Sequence, residues 1–261
     1  MKESSHWYDR TGEAVFEVPN KSKPGKRPTT LRDARTLQLL PSVTTVMSVL
    51  AKPQLDDWKH RQITAWCYNH TPHNEDAEAF HARAIEGAFE QVSDAADLGT
   101  DIHKALELYF TGQPYDAAFK VYVEPVVAWV EANGVKFHKH ELRLTSTAFG
   151  YAGTTDAVIE CSRGAGILDF KSRKTKPGLP VTPFDGQAMQ IAAYYKAAWW
   201  DETKPPLLPA VGVNVFISTT EPGRVEAAWY DADQIAREWE AFKAALTLWR
   251  HLKGYDPRLI L

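Results

Sequence analysis

The sequence predicts a mixed α/β domain, an α+β arrangement of a small sheet flanked by helices. Three observations carry this: a tight strand pair between Thr155 and Lys171, a second strand pair between Val211 and Tyr230, and amphipathic helical repeats before, between and after them. In chain order, Trp7 to Val18 reads as a small hairpin turning at Thr11-Gly12. Ser42 in Leu40-Pro41-Ser42-Val43-Thr44 is placed to cap a helix, and further helices are expected at about Asp56 to Tyr68 and Glu75 to Phe110. Another follows near Tyr122 to Asn133. The strand pair centred on Cys161 to Gly164 comes next, then a helix from about Asp185 to Trp199. Val211 to Ile217 and Arg224 to Tyr230 pair around Glu221-Pro222-Gly223. In the last helix Asp231 and Gln234 form a capping box, and Ile235, Trp239, Phe242, Leu246 and Trp249 form a buried stripe. The organisation expected is an N-terminal hairpin and basic segment over 1–40, then one domain over 41–261.

The central strand pair carries the chemistry. Thr155 to Cys161 alternates apolar and polar, Gly164 and Gly166 supply a turn, and Ile167 to Lys171 is a second strand. Antiparallel pairing about the Cys161 to Gly164 turn sets Asp156 opposite Asp169, with about 4.5 to 5.5 Å between Cβ atoms. Two carboxylates can then share one cation. Lys171 lies on the face of Asp169, while Leu168 and Phe170 point to the other side. A divalent ion such as Mg²⁺ takes oxygen ligands, activates a bound water and offsets charge on a phosphate. A neighbouring lysine can orient or help deprotonate that water, or stabilise developing negative charge. A surface hairpin with three solvated charges satisfies the same spacing, so neighbouring motifs must decide.

Those neighbours are ordered. Ile102, Ala105, Leu106, Tyr109 and Phe110 repeat at helical spacing, which puts His103 at the edge of a buried stripe. Gly99 offers close approach one turn earlier, and Gly99-Thr100 is equally consistent with a helix boundary or kink. Gln190 and Tyr194, four apart, share a helix face, with Gln187 a competing glutamine one turn earlier. Glu141 lies in an alternation, Val135, Phe137, Lys139, Glu141, that does not fix its direction.

The order of DLGTDIHKALELYF, FHKHELRL, the hairpin and QAMQIAAYY resembles the RecB-type nucleases of the PD-(D/E)xK superfamily, over residues 97–195. LPSVTTVMSVLAKP looks like the start of its phage and mitochondrial-type members. The resemblance implies a restriction-endonuclease-like core sheet with a helical N-terminal elaboration and a helical insertion before the hairpin. It implies His103, Glu141, Asp156, Asp169 and the backbone carbonyl of Phe170 as ligands of Mg²⁺ or Mn²⁺. Asp156, Asp169, Lys171, Gln190 and Tyr194 would be the catalytic set. The activity implied is exonuclease digestion from DNA ends, favouring single strands, in replication, recombination or repair. A recombination or replication protein is a possible partner. A structure-selective endonuclease with the same site, or a non-catalytic DNA-binding accessory module, are the rival readings.

Composition bounds these expectations. The chain has 261 residues, 44% of them hydrophobic, enough for a sizeable core. No apolar run approaches the ~20 residues that span a bilayer, and the polar start MKESSHWYDR lacks a signal-peptide core. The expectation is a cytoplasmic protein, in a bacterial host if phage-encoded, with no membrane partner. Cys67 and Cys161 are too few for a disulfide framework or for the four-cysteine iron-sulfur cluster of some branches of the family. The net charge of −3 looks wrong for a protein that binds a polyanion, but its distribution is uneven. Lys21, Lys23, Lys26 and Arg27 cluster upstream, Lys171, Arg173, Lys174 and Lys176 cluster after the hairpin, and both groups could track a DNA backbone. The upstream group, which holds Pro24, Gly25 and Pro28, is equally consistent with a solvated loop. Most of the nine tryptophans suit a core; Trp7, Tyr8 and Trp58 are candidates for stacking on unpaired bases.

Overall fold

A computed structural model describes residues 6–20, 24–199 and 208–259, with the side chains at 91–96 outside that description. The fold is mixed α/β. Its elements are β1 (Trp7–Tyr8), β2 (Glu17–Pro19), β3 (Lys26–Pro28), α1 (Leu31–Leu37), β4 (Leu40–Pro41), α2 (Val43–Met47), α3 (Pro53–Asn69) and α4 (Ala77–Phe110). After a 3₁₀ turn at Ala117–Phe119 come α5 (Lys120–Ala132), β5 (Lys136–Ser146), β6 (Tyr151–Cys161), β7 (Gly164–Arg173), α6 (Gln187–Ala198), β8 (Ala210–Ser218), β9 (Val225–Tyr230) and α7 (Ala232–Lys253).

The central sheet runs β5-β6-β7-β8-β9, antiparallel except for the parallel β7–β8 pair. That parallel step needs a crossover, and α6 supplies it. Each face of the sheet is covered. On one, Ile167 and Val158 pack with Ile191 and Tyr195 of α6, Phe242, Leu246 and Trp249 of α7, and Val43 and Val46 of α2. On the other, Leu168, Phe170, Val213 and Val215 pack with Ile102 and Leu106 of α4 and Val123 and Val126 of α5. Both faces are apolar because the central strands have no solvent side, which accounts for the nearly unbroken apolar run of β8.

The N-terminal segment joins the first of these cores. Trp7 lies 6.1 Å from the ring of Trp249 and 6.4 Å from that of Tyr255, and the Tyr255 hydroxyl donates to the carbonyl of Leu39 at 2.8 Å. Removing either indole costs about 3 to 5 kcal/mol by the usual large-to-small penalty. The expected turn at Thr11-Gly12 is present: Asp9 accepts from the backbone of Thr11 and Glu13, and Tyr8 bridges Ala14. The other side of β1 pairs with β4, so the hairpin is one part of a small three-way junction.

The helix boundaries follow their caps. Ser42 accepts from the Thr45 N–H at 2.9 Å, Asp76 opens α4, and Asp231 with Gln234 makes the expected capping box on α7. One assignment is corrected. Gly164 and Gly166 do not form the turn, which is Ser162-Arg163 between the paired residues Cys161 and Gly164. Both glycines lie in β7 where it runs against the start of β8 and the Pro209 before it. A Cβ on Gly166 would run into the Val211 carbonyl, and one on Gly164 into that of Pro209. They mark a close backbone approach rather than a reversal.

Candidate active site

One row of residues crosses the sheet. Asp169 pairs with Asn214 in the β7–β8 register. Asp156 lies one step beyond the last β6–β7 pair, Ala157 with Leu168, and so stands across from Asp169 as the hairpin geometry requires. Glu141 falls between the β5–β6 pairs His140 with Ala157 and Leu142 with Thr155, which sets it across from Asp156. Three carboxylates and an amide therefore stand side by side on four adjacent strands. Glu141 is in the left-handed region, φ 44°, a conformation that costs about 1 kcal/mol or more for a residue with a side chain. That backbone answers what alternation left open: Glu141 turns into a small cavity with His103, Glu107, Phe110, His140, Asp156 and Phe170. The cavity holds about 10 Å³, room for about one water-sized sphere.

Past the Ala157 to Leu168 pair, the Asp156 carboxylate accepts the Phe170 N–H at 2.6 Å. Asp169, 4% exposed, accepts from the Asn214 amide at 2.8 Å and binds the Lys171 Nζ at 2.6 Å, both through Oδ2. Tyr230 donates in turn to Asn214 Oδ1 at 2.8 Å. His103 Nδ1 is 3.8 Å from Asp156 Oδ2, beyond hydrogen-bond range. α4 reaches this position because a Cβ on Gly99 would come within 2.5 Å of the Ser172 hydroxyl. Gly99 is thus a close approach between α4 and β7, and α4 runs through it from Ala77 to Phe110.

Gln190 and Tyr194 do share a face of α6. The Gln190 amide donates to the Tyr194 hydroxyl at 3.1 Å, and a Cβ on Gly153 of β6 would press within 2.6 Å of the Tyr194 ring. The rival glutamine, Gln187, instead accepts from the Phe184 N–H at the start of the helix. Tyr8, proposed for stacking, is buried and meets the Thr154 hydroxyl at 3.1 Å; Trp7 is core.

The electrostatics are those of crowded carboxylates. Burial, then the like charge of Asp169, pushes the Asp156 carboxyl well above its ordinary value, against the pull of Lys171 and the Phe170 N–H. Glu141, exposed as a residue but with its carboxyl turned inward, is raised by burial and then by Glu107. Burial lowers the His103 imidazole, keeping it neutral and able to act as a ligand. For Lys171 burial opposes the charge, but Asp169 and Asp156 outweigh it and hold the ammonium above its usual value. That favours a fixed cation and hydrogen-bond donor over a base.

Among the described residues no three His, Cys, Asp or Glu side chains converge into a ready metal centre. The donors nevertheless fit a hard divalent cation in kind: carboxylate oxygens from Asp156, Asp169 and Glu141, with one neutral imidazole nearby. Lys171, clamped on Asp169, supplies the positive charge within the group.

A channel of about 1400 Å³ lies on the other side of Lys171, larger than the roughly 300 to 1,000 Å³ of small-molecule pockets. It is walled by α3 and α4, with Trp58 and Trp66 of α3, and by Lys171, Arg173, Lys174 and Gln190. Every residue of α3 is at least partly exposed; a Cβ on Gly87 of α4 would collide with the Trp66 indole, so that glycine seats the ring.

The basic residues divide. Lys174 and Lys176 are exposed. Arg173 lies over the Phe184 ring at 3.9 Å and donates to the Thr182 carbonyl at 2.6 Å, with burial lowering its guanidinium. Arg27 is committed to a bidentate pair with Asp33, at 2.6 and 2.8 Å, and Lys26 is an exposed residue of β3. Lys21 and Lys23 lie outside the described residues.

Sequence reasoning missed Asn214, Tyr230, Glu107 and His140. Asn214 had a signal: it is the one polar residue inside the apolar run Val211 to Ile217.

No family model and no curated protein matches the chain. Among solved structures, one titled "Crystal structure of SSO0001" aligns over 70% of this chain and 84% of that one, at 16% identity and a TM-score of 0.26. No helix among the described residues is long and apolar enough to cross a membrane.

Proposed function

We propose that this chain is a Mg²⁺- or Mn²⁺-dependent deoxyribonuclease that hydrolyses phosphodiester bonds from DNA ends, favouring single strands, on a restriction-endonuclease-like core. The observation that carries the reading is the position of Lys171. Its ammonium is bound to Asp169 at 2.6 Å beside the carboxylate row, and the same side chain lines the large channel. A protein that only held DNA would gain nothing from three carboxylates beside the strand, since they repel phosphates.

Asp156, Asp169, Glu141 and His103 would hold the ion, which when bound supplies a Lewis acid and an activated water. The remaining work belongs to the chain. Lys171 donates to a phosphate oxygen or to the attacking water, and its raised basicity keeps it charged while doing so. Gln190, in the channel and tied to Tyr194, orients the strand beside Lys171. Lys174 meets the backbone, and the exposed indole of Trp58 offers a face for an unpaired base. The helical wall of α3 and α4 excludes bulk water and favours a threaded end.

The test is digestion of end-labelled linear single-stranded DNA and of a closed single-stranded circle, by wild type and Lys171→Ala, with Mg²⁺, Mn²⁺ or EDTA. Loss of the linear strand alone, dependent on metal and abolished by the substitution, is the expected result. Cutting of the circle would favour an endonuclease. Intact DNA in every arm would leave the accessory-module reading in its place.

A further inference from the structure

We infer that Asn214 and Tyr230 are positioning residues that lock the Asp169 carboxylate in a single orientation, with Oδ2 occupied and Oδ1 left for a cation. The inference rests on the nuclease reading of the same site.

The donors converge on one oxygen. Asp169 Oδ2 accepts from Asn214 Nδ2 at 2.8 Å and meets Lys171 Nζ at 2.6 Å. An ionised carboxylate only accepts, so the amide nitrogen of Asn214 must face it and the amide oxygen must face away. Tyr230 uses the outward amide oxygen, donating to Asn214 Oδ1 at 2.8 Å. Burial pushes the Tyr230 hydroxyl up to about 12, so it stays a donor at neutral pH. Asn214 is fully buried and Tyr230 nearly so. In this buried position a flipped amide would set its oxygen against an acceptor-only carboxylate, a repulsion that the hydroxyl cannot relieve even by accepting from the turned NH₂. The relay Tyr230 to Asn214 to Asp169 therefore has one satisfied state.

The strands explain why it can be built there. Asn214 is beside Asp169 in the parallel β7–β8 register, and Tyr230 is opposite Gly212, two residues along β8 on the same face. Gly212 carries no side chain: a Cβ there would run into Ile191 of α6 and touch the Tyr230 ring at 3.5 Å, so the glycine lets both pack on this face. An asparagine in the middle of a fully covered strand is costly unless each polar atom is used, and here both are.

Groups that hydrogen-bond a metal ligand usually matter about 10- to 100-fold to metal affinity or activity. The experiment measures Mn²⁺ binding to the full-length protein without DNA by electron paramagnetic resonance, alongside kcat, KM and Tm. The proteins are wild type, Asp169→Ala, Asn214→Leu and Tyr230→Phe. Expected are Mn²⁺ binding by wild type that Asp169→Ala loses, about tenfold weaker binding in Asn214→Leu and about threefold in Tyr230→Phe, with kcat reduced and KM for DNA unchanged. Should Asn214→Leu fail to fold, Tyr230→Phe decides: a folded variant binding Mn²⁺ as wild type does overturns the proposal. Folded variants that both match wild type overturn it while leaving the nuclease reading intact. A wild type that neither binds Mn²⁺ nor cuts DNA overturns both.

Discussion

Glu141 and Asp156 stand across the β5–β6 ladder from each other, and Glu141 reaches that position only through a left-handed backbone. Asp169 stands across from Asp156 on the other side. The sheet thus sets three acids abreast, with Lys171 bonded to the last of them. Folding this row without an added cation works against stability, a common condition of functional sites.

Asp156→Asn is therefore expected to stabilise the metal-free protein while abolishing the proposed nuclease activity. The folded-state pKa of Asp156 lies above its ordinary value, through burial and then Asp169, so the folded chain binds more protons than the unfolded one. This site's contribution to stability is full below the ordinary carboxylate pKa and is lost as pH rises through the raised one. The amide still accepts from the Phe170 N–H and adds no charge. Urea unfolding in EDTA at pH 5 and pH 8 should show a gain of roughly 1 kcal/mol for the variant, larger at pH 8. Equal or lower stability at pH 8 would contradict the crowding of charge.

Two glycines that lack turn duties are expected to be intolerant for different reasons. Gly166→Ala drives a Cβ into the Val211 carbonyl, which cannot move without breaking the β7–β8 ladder. A loss of more than about 3 kcal/mol is expected, visible as failure to express as a folded protein. Gly153→Ala presses instead on the Tyr194 ring, 2.6 Å from the added carbon. Overpacking of this kind costs about 1 to 3 kcal/mol, so the variant should fold. Because the displaced ring carries the Gln190 contact, its kcat should fall more than its Tm implies.

Much of this was legible in the chain, where local pattern and packing agree. The α7 stripe, the Ser42 cap and the register of Asp156 against Asp169 follow from spacing that the fold has no reason to override. Gly166 was misread because a glycine near a turn and a glycine under a neighbouring carbonyl look the same in sequence; only the parallel partner, more than forty residues later, tells them apart. Glu141 was undetermined because alternation describes extended backbone, and its own backbone is left-handed. Arg27 was counted among cations for DNA because composition does not show that Asp33 holds it.

The channel separates two kinds of tryptophan. Trp58 lines it and is 37% exposed, whereas Trp249 is buried against Trp7. If the chain binds single-stranded DNA as proposed, Trp58→Ala is expected to leave Tm nearly unchanged and to weaken that binding by about 1 to 3 kcal/mol, the usual worth of one stacked base. Fluorescence anisotropy with a labelled oligonucleotide checks this. Unchanged affinity would place the strand away from α3.

Salt dependence should sort the basic residues. Lys174 and Lys176 are exposed after β7, and Lys174 lines the channel. If each touches a phosphate, the double alanine variant lowers the slope of log affinity against log salt by roughly 1.4, at about 0.7 per contact on a single strand. Arg27 is different. Its guanidinium is bound through both terminal nitrogens by Asp33, the same carboxylate that accepts the Thr30 N–H in the capping box of α1. Arg27→Ala is therefore expected to leave the salt slope unchanged and to act on the N-terminus of α1. Anisotropy titrations from low to moderate salt would measure both variants, and a slope change in Arg27→Ala equal to that of one lysine would show that DNA competes successfully for the guanidinium.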